Sequence, residues 1–214
     1  MATIIAAARG WREGAGSCRP SLSMDRYAPL RRRTIALVGL MGVGKSSVGR
    51  RLANALELPF RDTDTEVETA AGRSISDIFA DLGEEAFREG ERRVIARLLD
   101  QEPHVLATGG GAFMNPQTRE LIKGAAISVW LKTDLDVLAR RVARKDTRPL
   151  LAGKDPLEVL QAQAQARYPA YAEADLMVET GDAAHHVTVE QVIAALSVHL
   201  AAGTETAASE ASPP

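Results

Sequence analysis

Hydrophobic residues fall along this chain in two rhythms. Apolar runs predict a buried β-strand at residues 34–39 and further strands at 105–107, 127–131 and 176–179, with a short one near Phe60 and Arg61. Between them, apolar positions recur at helical spacing. In residues 45–58 Val48, Leu52, Ala55 and Leu56 share one face, and Pro59 closes the stretch. Residues 74–79, 84–100, 134–142, 156–173 and 188–200 also read as helices, the second with Phe87, Val94, Ile95 and Leu98 on one side. Five strands joined through helices predict an α/β fold with a mostly parallel sheet covered on both faces.

The rhythm stops at the ends. Residues 1–33 carry seven Arg against one Glu and one Asp, with scattered Gly, Ser and Pro and no apolar periodicity, so a disordered extension is expected there. An organelle transit peptide, a plain extension and a start at Met24 are all compatible with it. Residues 203–214, rich in Ala, Ser, Thr, Glu and Pro, are expected to form a disordered tail. The folded domain is thereby placed at residues 34–202.

Composition narrows the class. The 214 residues are 45% apolar and 25% charged, with a net charge of -2, which suits one soluble domain with a full core. The near-balanced charge argues against a protein built to grip nucleic acid. One cysteine, Cys18, excludes an intramolecular disulfide and a cysteine-ligated metal site. No apolar stretch approaches the roughly 20 residues of a membrane span. A cytoplasmic location is expected, and a monomer, since nothing in the chain demands a partner. Of 26 basic residues only 5 are Lys. Arg offers a planar fork that matches carboxylate and phosphate, so some of this excess can be ligand rather than surface.

The strongest chemical signal is Gly39-Leu40-Met41-Gly42-Val43-Gly44-Lys45-Ser46, a G-x-x-x-x-G-K-[ST] pattern set between a buried strand and an amphipathic helix. Its glycines allow positive φ and close backbone approach. Successive N–H groups and a helix N-terminus cradle phosphate, Lys45 adds a mobile cation, and Ser46 suits Mg²⁺. No N-K-x-D or D-x-x-G motif follows, which weakens a GTPase reading.

Asp62-Thr63-Asp64 ends the second strand. Carboxylates at i and i+2 there share a side, so one can face a metal and the other an acceptor hydroxyl. A helix N-cap with an acidic first turn is the alternative. Gly109, Gly110 and Gly111 follow a strand at the usual ligand edge of a parallel sheet and leave bare backbone for a substrate. Arg88, within Phe87-Arg88-Glu89-Gly90-Glu91, is either a ligand or a surface ion pair. Arg148-Pro149-Leu150-Leu151 lies in a polar, loop-like stretch at residues 144–153 that suits a closing lid. Arg167-Tyr168-Pro169-Ala170-Tyr171 ends a helix.

Taken together these segments resemble the shikimate kinase family from about residue 33 to residue 200. Besides the P-loop, the chain carries that family's D-x-D (Asp62 to Asp64), F-R-x-x-E (Phe87 to Glu91), G-G-G (Gly109 to Gly111), R-P-L-L (Arg148 to Leu151) and R-x-P-x-Y (Arg167 to Tyr171), in the family's order. The resemblance implies a three-layer P-loop NTPase fold with a five-stranded parallel sheet, a shikimate-binding segment near residues 64–88 and a mobile lid near 144–153. It also implies phosphorylation of the 3-hydroxyl of shikimate by ATP with Mg²⁺, giving shikimate 3-phosphate and ADP on the route to chorismate and the aromatic amino acids.

Carried over residue by residue, Gly42, Val43, Gly44, Lys45, Ser46 and Ser47 would hold the triphosphate, with Ser46 and Asp62 on the metal side. Asp64 would orient the attacking hydroxyl and take its proton. Arg88 and Arg167 would clamp the carboxylate over Gly109, Gly110 and Gly111, while Arg148 would close onto the phosphates. Lys45, Asp64 and Arg148 are thus the expected catalytic set. One departure concerns adenine: the basic or polar residue that flanks the base in many members falls near Ala184, beside His185 and His186, with Arg141 expected on the other face. A gluconokinase-like small-metabolite kinase and a catalytically dead binding relative are the rival readings.

Overall fold

A computed structural model describes residues 27–143, 155–182 and 184–210. Its sheet has five parallel strands in the order β2-β3-β1-β4-β5: β1 (Thr34–Val38), β2 (Phe60–Asp62), β3 (Val105–Ala107), β4 (Ala126–Lys132) and β5 (Leu176–Glu179). β1 is central, in register with β3 through Ile35 against Val105 and with β4 through Ile35 against Ile127. All five of its residues are buried, as an unbroken apolar run requires when helices cover both faces.

The crossovers follow from the strand order. From β1 the chain passes through α1 (Lys45–Leu56) outward to β2, then returns through α2 (Thr63–Ala71) and α3 (Ile75–Leu99) to β3. It crosses to the far side of β1 through α4 (Pro116–Ala125), reaches β5 through α5 (Leu135–Ala143) and α6 (Pro156–Tyr171), and ends in α7 (His185–Glu210). Right-handed crossovers therefore put α1 on the opposite face from α3 and α4. The packing of α1 on α7, and of α3 on α4, agrees with this. Because the chain leaves β1 and β3 in opposite directions, their C-terminal ends open a crevice at the switch point. The main core, including Ile35, Leu37, Leu52, Ile95 and Phe113, lies beneath it.

Local chemistry sets the helix ends. Ser74 caps α3 by accepting a hydrogen bond from the Asp77 N–H, and Asn115 caps α4 ahead of Pro116 at the first helical position. The two helices expected at residues 74–79 and 84–100 are the two limbs of α3, interrupted at Gly83, whose φ is 79°.

α2 and α4 lie where the apolar pattern marks no helix, because α2 buries only Thr63 and Val67 and α4 only Thr118 and Ile122, too few positions for a clear stripe. Two expectations, both at the ends of the domain, are corrected. The disordered extension does not reach residue 33: Leu30, in a short 3-10 turn, is 1% exposed and joins the main core beside α7. An isolated apolar residue has no periodicity to announce it. At the other end α7 runs to Glu210, past residue 202, as its alanines favour. Residues 1–26, 144–154, 183 and 211–214 lie outside the described residues, and with them Arg148 and the lid expected at 144–153. Among the described residues no helix is long and apolar enough to cross a membrane.

Candidate active site

The segments that follow β1, β2 and β3 meet at the C-terminal edge of the sheet. The first is the P-loop. Gly39 (φ 141°) could carry no side chain, since a Cβ there would stand 2.5 Å from the Leu131 carbonyl oxygen of β4. Gly44 (φ 98°) turns the chain into α1 in a conformation that costs other residues dearly. The loop closes around its own cation, for Lys45 Nζ donates to the carbonyl oxygens of Gly39 at 2.8 Å and Leu40 at 3.0 Å.

Both carboxylate oxygens of Asp62 are engaged. Its Oδ1 accepts from the Asp64 N–H at 3.1 Å, capping α2, while its Oδ2 accepts from Ser46 Oγ at 2.6 Å. A hydroxyl and a carboxylate are thus paired beside Lys45, a hard-oxygen donor set of the kind Mg²⁺ takes together with phosphate and water. Asp64 stands one step further along α2. Its carboxyl is held above the usual range by the protein around it and by the charge of Asp62, against the opposing pull of Lys45. The side chain still reaches the surface, as a group meeting a substrate must.

Thr63, between the two aspartates, is fully buried and ties this segment to the next. Its Oγ1 accepts from the Gly109 N–H at 2.7 Å, so the glycine run hangs on the same turn that carries Asp62 and Asp64. A Cβ on Gly109 would stand 2.5 Å from Glu91 Oε1 and 3.0 Å from Asp64 Oδ1; on Gly111 it would stand 2.5 Å from Arg88 Nη2. On Gly110 it would lie 3.4 Å from Arg167 Nη1 and 3.7 Å from the Met41 N of the P-loop. Two carboxylates and two guanidiniums therefore converge on three successive glycines, against the phosphate-type loop.

The guanidiniums are held differently. Arg88 projects from α3 and pairs with Glu91 at 2.8 Å and Glu84 at 3.2 Å. Burial works against its charge, but these hydrogen bonds hold its pKa above the ordinary value. Glu91 is 2% exposed, its Oε1 has no hydrogen-bond partner, and burial raises its pKa despite the pairing with Arg88. The ion pair and the ligand reading of Arg88 are thus compatible: the pair aims the fork. Arg167, from α6, donates through Nη1 to the Gly110 carbonyl oxygen at 3.2 Å.

On the outer side of the P-loop, Arg141 of α5 donates through Nη2 to the Gly181 carbonyl oxygen at 2.8 Å, beyond β5. The His185 ring at the start of α7 lies 3.6 Å from where a Gly44 Cβ would be. Burial lowers its pKa, and Arg51 and Arg141 lower it further. Ala184 is exposed next to it. Arg141 and His185 are thus brought to one side of the loop. Glu91, Thr63, Tyr171 and His185 had no role in the sequence reading. Glu91 and Tyr171 are quoted there inside motifs, and the acid three residues after Arg88 on a helix was the available signal for the first of them.

A family model described as "Shikimate kinase" matches residues 41–197. The shikimate kinase of Caulobacter vibrioides (strain NA1000 / CB15N) is 72% identical over 172 residues, covering 80% of this chain and 86% of that protein. The shikimate kinase of Paramagnetospirillum magneticum is 58% identical over 181 residues, 83% of this chain and 93% of the relative. Among solved structures, shikimate kinase from Acinetobacter baumannii in complex with shikimate aligns with a TM-score of 0.73 at 36% identity, over 78% of this chain and 94% of that one.

Proposed function

The chain belongs to the shikimate kinase family, an ATP-dependent transferase, and from that premise we propose how its cleft transfers the γ-phosphoryl group of ATP to the 3-hydroxyl of shikimate. The observation that carries the assignment is the convergence of Asp64, Arg88 and Arg167 on residues 109–111, with Gly110 against the P-loop. A small polyol bearing one carboxylate needs this set: a fork for the carboxylate, a carboxylate for the hydroxyls and a bare floor between them.

Arg88 and Arg167 grip the substrate carboxylate from two helices, and residues 109–111 bring the ring within reach of the phosphate loop. Asp64 accepts a hydrogen bond from the 3-hydroxyl, orients its oxygen toward the phosphorus and receives the proton as the new P–O bond forms. A carboxyl held above the usual range by burial and by Asp62 is a stronger base than a free carboxylate. Positioning does most of the work, because phosphoryl transfer asks little covalent chemistry of the protein.

Backbone N–H groups of residues 42–47 and the Lys45 ammonium receive the triphosphate. Lys45 gives up its contacts with the Gly39 and Leu40 carbonyl oxygens for phosphate oxygens, a charge-assisted exchange. Ser46 and Asp62 would hold Mg²⁺, which supplies neutralisation of the phosphate charge when bound. Arg141, with His185 on the same side of the loop, flanks the adenine. Arg148, outside the described residues, is assigned to the transferring phosphoryl group through the family motif.

The direct test is purified protein with ATP and Mg²⁺, following ADP release with shikimate or with gluconate. Shikimate-dependent release at the rate of product formation is expected. Release with gluconate alone would select the gluconokinase-like reading, and none with either substrate would leave the binding-protein rival.

A further inference from the structure

We propose that Tyr171 is a positioning residue for the substrate carboxylate: its hydroxyl holds the Gly110 carbonyl so that Arg167 can leave that oxygen for the carboxylate. This rests on the reading that Arg167 is a carboxylate ligand. Tyr171 follows Arg167 by one helical turn of α6, so both side chains project from the same face. Both donate to one acceptor, the Gly110 oxygen, Tyr171 Oη at 2.5 Å and Arg167 Nη1 at 3.2 Å. A carbonyl oxygen has two lone pairs, and here both are used.

The two donors are not equivalent. The Tyr171 ring is 1% exposed and fixed between Phe113, with centroids 6.5 Å apart, and Trp130, at 5.9 Å. Its hydroxyl has one place to go. Burial pushes its pKa up to about 12, with Arg167 alongside pulling the other way, so it remains a donor throughout the working pH range. Arg167 donates to that neutral oxygen at the longer distance and lies against the Tyr171 hydroxyl as well, and its Nη1 is one of the nitrogens from which a fork contact is made. An ionised carboxylate is the stronger acceptor and draws the guanidinium away.

What happens at Gly110 then decides the cost. With Tyr171 present the half-buried carbonyl keeps its shorter hydrogen bond, and the glycine floor keeps its place. Without the hydroxyl, Arg167 is the sole donor, and its departure strands the oxygen. Shikimate must then bind against that loss, whereas ATP, on the other side of the P-loop, does not sense it.

The test is Tyr171→Phe, which keeps the ring and its contacts with Phe113 and Trp130. The expected result is a rise of about tenfold in KM for shikimate, the size of one hydrogen bond lost from a partly buried carbonyl. kcat and KM for ATP should not move, because the interaction is equally missing in ground and transition states. In an Arg167→Ala background the same change should have almost no effect on kcat/KM for shikimate, since no guanidinium remains to be released. A loss of equal size in both backgrounds, or parallel shifts in both KM values with a lowered Tm, would overturn the proposal in favour of a purely structural tyrosine. An unchanged KM for shikimate would overturn it as well. Should Phe at this position prevent folding, 3-fluorotyrosine, a stronger donor of nearly the same shape, must lower KM for shikimate; no change would overturn the proposal. The underlying reading fails separately: Arg167→Ala alone would then leave kcat/KM for shikimate intact.

Discussion

Gly111→Ala isolates the role of Arg88 with one methyl group. Gly111 has φ -101° and ψ -14°, a right-handed conformation that alanine adopts freely, so no backbone strain enters. The new Cβ would stand 2.5 Å from Arg88 Nη2 and 2.6 Å from both Cζ and Nη1, where ordinary contact begins near 3.4 Å. The whole guanidinium plane must therefore retreat by about 0.9 Å. It cannot do so at no cost, because Nη1 is held by Glu91 at 2.8 Å and the opposite edge by Glu84. A misplacement of this size at a positioning residue reduces rate by about 10²-fold. The expected outcome in a coupled ADP-release assay is that kcat/KM for shikimate falls by about this factor while KM for ATP stays unchanged. Gly124→Ala, whose added methyl meets nothing within 4 Å, serves as the control. Unaltered kcat/KM for shikimate in Gly111→Ala, with Tm preserved, would refute the placement of Arg88 against the substrate.

Further outcomes follow from the geometry. Asp64→Asn should lower kcat by about 10²- to 10⁴-fold, the usual worth of a general base, while ATP binding measured by calorimetry survives. In the wild-type protein the acid limb of kcat/KM for shikimate should lie above the ordinary carboxylate range, because burial and Asp62 raise the Asp64 pKa in the free protein and activity is lost as pH falls through that raised value. The sign for stability is opposite. The native state binds this proton more tightly than the unfolded chain, so the ionised group opposes folding above its raised pKa and ceases to do so as pH falls below the unfolded value. Asp64→Asn should accordingly raise Tm at neutral pH, and a lowered Tm would contradict that account. Gly49→Ala tests the core instead: its Cβ would stand 2.6 Å from Phe60 Cε2 and 3.3 Å from Leu37 Cδ1, which should destabilise the fold by about 1–3 kcal/mol in denaturant titration.

Legibility in the sequence depended on whether a feature is local. The P-loop is local, since positive φ, backbone donors and Lys45 all lie within eight consecutive residues between a strand and a helix, and so it could be read before any fold was known. The inner strands β1, β3 and β4 were legible because burial on both faces leaves apolar runs. α2 was obscured because its role is to carry Asp62, Thr63 and Asp64 rather than to bury a stripe, and α4 because it covers the sheet with two side chains. Leu30 was invisible because what buries it is α7, which begins more than 150 residues later.

By itself, then, the chain determined its sheet and main crossover helices, its phosphate loop and the residue types its chemistry needs, for these follow from periodicity and from motifs a few residues long. Tertiary structure decided which of those residues meet. Only the crossing of α3 and α6 over the end of β3 sets Arg88 and Arg167 above neighbouring glycines, hangs Gly109 on Thr63 and Gly110 on Tyr171, and buries Glu91 behind the fork it aims. The hydrogen bonds that hang Gly109 on Thr63 and Gly110 on Arg167 and Tyr171 join residues 46 to 61 positions apart, and sequence spacing holds no record of a distance that packing alone creates.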